Sequence, residues 1–193
     1  MANFSAAFGY DFYIVPVKNA LVTDFASAPS VDSSTPPASS DAVTYSEGVF
    51  SIASTPYAMD GTDAAIRLAG LTSASLETDT GTEDIYTYDD ETSGFNQSVA
   101  TTKSFSISLG GLADFGDSGY KVLRLTEQNT VADGLRVAFK RVGPTGTDET
   151  IVGYGTLTGY TESNEVSSIV SWECTLTGYG HYHLTLDTTN APA

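Results

Sequence analysis

Residues 103–109 read KSFSISL, an alternation that sends Phe105, Ile107 and Leu109 to one side and Ser104, Ser106 and Ser108 to the other. Successive side chains of a strand leave opposite faces, so this stretch predicts a strand with one buried and one wet face. A few residues on, SGYKVLRLTEQN at 118–129 changes the period. Asp117 is a suitable N-cap, the stretch 120–128 contains neither Gly nor Pro, and Tyr120, Leu123 and Glu127 share a face with Val122 and Leu125 beside it. The spacing predicts a helix over 118–129.

No second stretch of the chain carries such a helical signal. Outward from this point the alternation returns in GLRVAFKRV at 134–142, where Leu135, Val137 and Phe139 alternate with Arg136, Ala138 and Lys140. GPTGTD at 143–148 reverses the chain, TIVGYGTLTGY at 150–160 returns it, and a last strand is expected from Val166 to Gly178 with Val170, Trp172, Cys174 and Leu176 inward. Toward the N-terminus, DFYIVPV at 11–17 reads as a strand that Pro16, lacking an N–H, confines to an edge or a bend. Further strands are expected over Val43–Ala53, from Ala65 into IRLAGLTSASLE, and around Ile85, Tyr86 and Tyr88, before a polar loop at 89–101. Between them, ASAPSVDSSTPPASSDA at 26–42 has no periodicity and no core face, and is read as a long surface loop. With 18 Gly, 11 Tyr and 9 Phe but only eight Lys and Arg, the composition favours twisted strands and turns. The expected fold class is all-β with one short helix.

A chain of 193 residues fits one domain, 1–193, with an N-terminal arm at about 1–10. Its single cysteine, Cys174, can close no internal disulfide. A net charge of −16 disfavours nucleic-acid binding by counterion release. The sequence has no apolar run long enough for a membrane helix, and Met1–Asp11 lacks the basic and apolar regions of a signal peptide.

Gly116-Asp117-Ser118-Gly119 matches the string around the nucleophile of chymotrypsin-like serine proteases, but there the histidine precedes the serine, whereas His181 and His183 follow it. Helix capping is the simpler reading of Asp117 and Ser118. His181 and His183, two apart, could share a face on a strand, yet no third metal ligand lies near them. The acidic stretch has no calcium-loop spacing, and phosphate-cradling, dinucleotide and CxxC motifs are missing from the sequence. No catalytic residue, cofactor or metal is expected. Arg136, Lys140 and Arg141 put three of the eight cations on one strand, either as a solvated face or as an inter-subunit contact. In the latter case they face Glu83, Asp84, Asp89, Asp90 and Glu91 of a neighbouring copy.

The order LAGLTSASLETDT, EDIYTYDDETSG, KSFSISLGGLAD, GYKVLRL, GLRVAFKRV, YGTLTGYTES and SSIVSWECTLTGYG, spanning about Ile66 to Gly180, resembles the major tail tube proteins of long-tailed bacteriophages. The resemblance implies a β-sandwich or barrel flanked by one helix, without an active site, that assembles into stacked hexameric rings. It implies a virion tail location after synthesis in the bacterial host cytoplasm, and as partners the chain itself and the tape measure, tail terminator and distal tail proteins. DNA passes through such a tube without specific binding. The first 65 residues depart from the pattern. A β-sandwich carbohydrate-binding or adhesin module is the alternative, with exposed Tyr residues stacking on sugars.

Overall fold

The computed structural model describes residues 9–85, 97–144, 149–164 and 169–186. Among them run the strands β1 (Asp11–Lys18), β2 (Val43–Ser46), β3 (Val49–Ile52), β4 (Thr55–Pro56), β5 (Ile66–Arg67), β6 (Leu71–Ile85), β7 (Gln97–Leu112), β8 (Leu135–Val142), β9 (Thr150–Ser163) and β10 (Ser171–Thr185), and the helix α1 (Ser118–Asn129). The all-β expectation with one short helix holds, down to the ends of α1. Asp117 caps it, its carboxylate accepting the amide of Tyr120 at 2.9 Å.

Seven strands form one antiparallel sheet in the order β5-β1-β8-β9-β10-β7-β6, and β2-β3-β4 form a small second sheet. The small sheet, through Phe50 and Ile52, and α1, through Tyr120, Val122 and Leu123, cover one face of the large sheet. That face carries Ile14, Val137, Leu157, Trp172, Cys174 and Ile107, so the alternation in β7, β8 and β10 marked the core correctly. Inside it, Phe105 on β7 reaches Phe139 on β8 across two intervening strands, their ring centroids 6.0 Å apart. Glycines make this possible. A Cβ on Gly153 or Gly155 would press on Phe139 or Leu176, and one on Gly178 would overlap the Phe105 ring. The sheet folds along this bare line, and aromatic rings fill the crease.

Pro16 sits where the missing donor costs nothing. The amide of Lys18 and the carbonyl of Phe12 bond away from β8, to Met59 and Leu68, and Pro16 has the same parity on the strand.

Several sequence expectations need correction. Val43–Ala53 is a hairpin of β2 and β3, because Glu47 and Gly48 both take positive φ, 51° and 80°, and reverse the chain in two residues. The stretch from Ala65 breaks at Gly70, φ 71°, separating β5 from β6. Residues 97–101, expected in a polar loop, belong to β7 and pair with β6 up to Ile85↔Gln97. Both faces of that ribbon are wet, so its strands show no apolar alternation. Tyr86 and Tyr88 lie outside the described residues. The last strand begins at Ser171 and runs on to Thr185 rather than stopping at Gly178, passing a bulge between Tyr179 and His183.

Residues 26–42 do bury side chains. Pro29 and Val31 are buried, and Ala65 donates to the carbonyl of Asp32 at 2.7 Å. Further on, Ser118 donates through its amide to Ser39 and through its hydroxyl to Ala38. The segment is a strap that crosses from the second face of the sheet to the start of α1.

Candidate functional site

The second face of the large sheet is divided into a covered and an open half. Over β1, β8 and β9 the strap covers it, burying Val15, Val17, Val31, Ala65, Ala138 and Tyr154 in a second apolar cluster. Phe25 anchors the strap edge-on between Tyr154 and Tyr179, at centroid distances of 5.0 and 4.9 Å. His183 Nε2 lies 3.0 Å from the carbonyl of Ala26.

Over β9, β10, β7 and β6 the same face is open, and register lines its side chains into rows. One row runs Thr158, Thr175, Ser108, Ser75, and the next runs Thr156, Thr177, Ser106, Glu77. Ser104 stands opposite Asp79 beyond them, and Glu173 flanks the first row. Within the rows Thr158 Oγ1 bonds the carbonyl of Thr175 and the hydroxyl of Thr177, each at 3.2 Å. The surface is a carpet of short hydroxyls carrying Glu77, Asp79 and Glu173. The face holds only an open hollow, bordered by Ser73, Ser108, Glu173 and Thr175, and its short hydroxyls present no protruding donor to grip a ligand.

The three clustered cations are engaged within the subunit. Arg136 closes the second row, donating to Thr156 Oγ1 at 2.9 Å, and its guanidinium lies over Tyr179 at 3.3 Å from the ring centre. Lys140 donates to Ser33 of the strap at 3.0 Å. Arg141 has the opposite parity: it pairs with Glu149 at 3.6 Å, lies over Tyr10, and has a side chain only 11% exposed. Glu83 and Asp84 are exposed near the end of β6. Asp89, Asp90 and Glu91 lie outside the described residues.

Ser118 is buried, its hydroxyl donating to the carbonyl of Ala38, as the capping reading of the GDSG string expects rather than a nucleophile in an open pocket. Among the described residues no group of three His, Cys, Asp or Glu is placed to hold a metal ion. Burial pushes the Cys174 thiol up to about 12. A polar cluster unforeseen from the sequence ties α1 to β9: Glu162 accepts from Tyr120, Tyr160 and Arg124, with Tyr160 stacked on Trp172. Gly159, at φ 64°, shifts the alternation of β9 so that Tyr160 and Glu162 turn toward α1.

No protein-family profile and no curated protein matches the sequence. Solved structures do. A chain from the virion of a native gene transfer agent particle superposes with a TM-score of 0.51 at 18% identity, over 63% of this chain and 88% of that one. A chain from the tail of an empty gene transfer agent particle, an assembly of C6 symmetry, gives 0.52 at 17% identity, over 64% and 88%. The SPP1 tail tube gives 0.49 at 17% identity, over 65% and 70%. The fold is thus one shared with a chain of a gene transfer agent tail.

Proposed function

We propose that this chain is the structural subunit of a phage-type tail tube, assembling into stacked six-fold rings that conduct DNA during ejection. The open hydroxyl-and-acid face of β9, β10, β7 and β6, on a fold shared with a tail of C6 symmetry, carries this reading. That face lines the lumen. A duct must pass a polyanion without holding it, and a wall on which Glu77, Asp79 and Glu173 outnumber the stacked Arg136 repels phosphate while its hydroxyls keep it wet.

In the assembled tail the chain forms a single domain, residues 1–10 act as an arm toward a neighbour, and the strap at 26–42 borders the subunit contact. Glu83 and Asp84, with Asp89, Asp90 and Glu91, meet cations of the adjacent copy. Tape measure, terminator and distal tail proteins are the further partners, and synthesis takes place in the host cytoplasm.

The sugar-binding alternative rests on displayed tyrosine rings. Among the described tyrosines only Tyr179 is exposed, and the Arg136 guanidinium covers it. Negative-stain electron microscopy across a concentration series tests the proposal: tubes with six-fold end views are expected, and a protein that stays monomeric at every concentration contradicts it.

A further inference from the structure

The large sheet forks. β7 pairs with β10 only over Ser106–Leu112, and from Gln97 to Phe105 it pairs with β6 alone. β10 parts from β7 after Thr177 and follows β9 as far as Thr185. Phe105 is the wedge, with its ring against Gly178 and edge-on to Tyr182 at 5.2 Å. An open cleft between the two branches is lined by Lys103, Phe105, His181, Tyr182 and Leu184.

Two strand edges face this cleft. Each residue of a regular strand directs its N–H and C=O to one side in alternation, so about half of these groups over 98–104 and over 183–185, past the bulge that follows Tyr179, point into the fork. Among the described residues no ladder or other backbone hydrogen bond fills them. Such edges are templates for another strand. The β6–β7 branch beyond the fork is a bare two-stranded ribbon, seven β6 residues from Asp79 to Ile85, about 23 Å long at about 3.3 Å per residue. A ribbon of that kind is marginal alone in water, and the outer edge of β6 has no neighbour in the sheet.

We propose that the fork between β7 and β10 is a socket for the β6–β7 ribbon of a second copy of this chain. The incoming outer edge of β6 extends the open edge of β10, and of its Glu83 and Asp84, which leave opposite faces of the strand, the one on the Lys103 side approaches that lysine. The charges match: among the described residues no ion pair engages any of these three groups. Apolar surface matches as well, since Leu184 in the fork is 48% exposed and Val99 on the ribbon 47%. Each copy offers one ribbon and one fork, a head-to-tail contact that repeats until it closes into a ring. The inference rests on the tube reading and names the contact that builds its rings.

Charge reversal and hydrogen exchange test it together. Lys103→Glu is expected to abolish tube formation while leaving the subunit folded, and Glu83→Lys with Asp84→Lys in the same chain is expected to restore it. In wild-type tubes, amides of 79–85 on the outer edge of β6 and of 183–185 on β10 are expected to exchange more slowly than in the dissociated subunit. Tubes that form with those amides unprotected overturn the socket and leave the tube reading standing. Tubes that form equally well from Lys103→Glu overturn the Lys103 contact, and with unprotected amides the whole proposal. A wild-type protein that never self-associates overturns both readings.

Discussion

The phenyl ring of Phe105 occupies the space beside Gly178 in which any larger residue would carry its Cβ. Gly178→Ala therefore drives a methyl group into a ring already held by Phe139 and Tyr182. Overpacking of this kind costs about 1–3 kcal/mol, and chemical denaturation is expected to show a loss of that size with an unchanged slope. Gly159→Ala, with nothing near its Cβ, is expected to lose only about 1 kcal/mol through its φ of 64°.

Stability is expected to fall on the alkaline side. Burial raises the Cys174 thiol from 9.0 to about 12, and burial likewise raises the hydroxyls of Tyr57, Tyr120, Tyr154 and Tyr160. Between the unfolded and folded values the unfolded chain holds fewer protons, so the slope of unfolding free energy against pH is negative there. Melting temperature should hold steady up to about pH 9, where the unfolded thiol begins to ionise, and decline toward pH 12. Cys174→Ser is expected to flatten the first part of that decline. A melting temperature constant from pH 8 to 12 contradicts the assignment of these groups to the interior.

Strands with one dry face were legible because hydrophobic alternation records burial: Phe105, Ile107 and Leu109, or Trp172, Cys174 and Leu176, fall inward as read. The helix was legible because Asp117 and a Gly-free interior act locally. The ribbon of β6 and β7 was not, since strands wet on both faces carry no apolar period. The strap was missed for another reason. Its burial rests on isolated anchors, Phe25, Pro29 and Val31, whose receptor surface is made by β1, β8 and β9 from distant sequence. The hydroxyl rows had a signal, Ser and Thr at alternate positions of four segments, but only the register aligns them into one surface.

Phe25→Ala is expected to free the strap locally. The substitution removes the ring that contacts Tyr154, Tyr179 and the Arg136 guanidinium, at a cost of about 2 kcal/mol for a half-buried aromatic. Exchange of the Ala65 amide, bonded to Asp32 of the strap, should accelerate, and proteases should cut between 22 and 33. Amides inside α1 should keep their protection. Equal acceleration in α1 would mean that the strap and the main core unfold as one unit.

The open face offers the most direct test of the duct. In the proposed tube every copy places Glu77, Asp79 and Glu173 on the wall, interspersed with Ser75, Ser106, Ser108, Thr175 and Thr177. Screening limits each carboxylate to about 8 Å at physiological ionic strength, so repulsion acts on the phosphates nearest the wall and does little across the duct. That suffices to prevent binding, because affinity for duplex arises from counterions released by closely placed cations. Assembled wild-type tubes are expected to show no duplex binding at physiological salt. Glu77→Lys with Glu173→Lys converts two wall acids per copy into cations without touching the core, both positions being exposed. Tubes of this variant are expected to bind duplex with an affinity that falls steeply as salt rises, whereas Glu47→Lys, on the β2–β3 turn away from that face, should leave tubes inert. Binding by wild-type tubes, or none by the double variant, would place the hydroxyl rows somewhere other than the lumen.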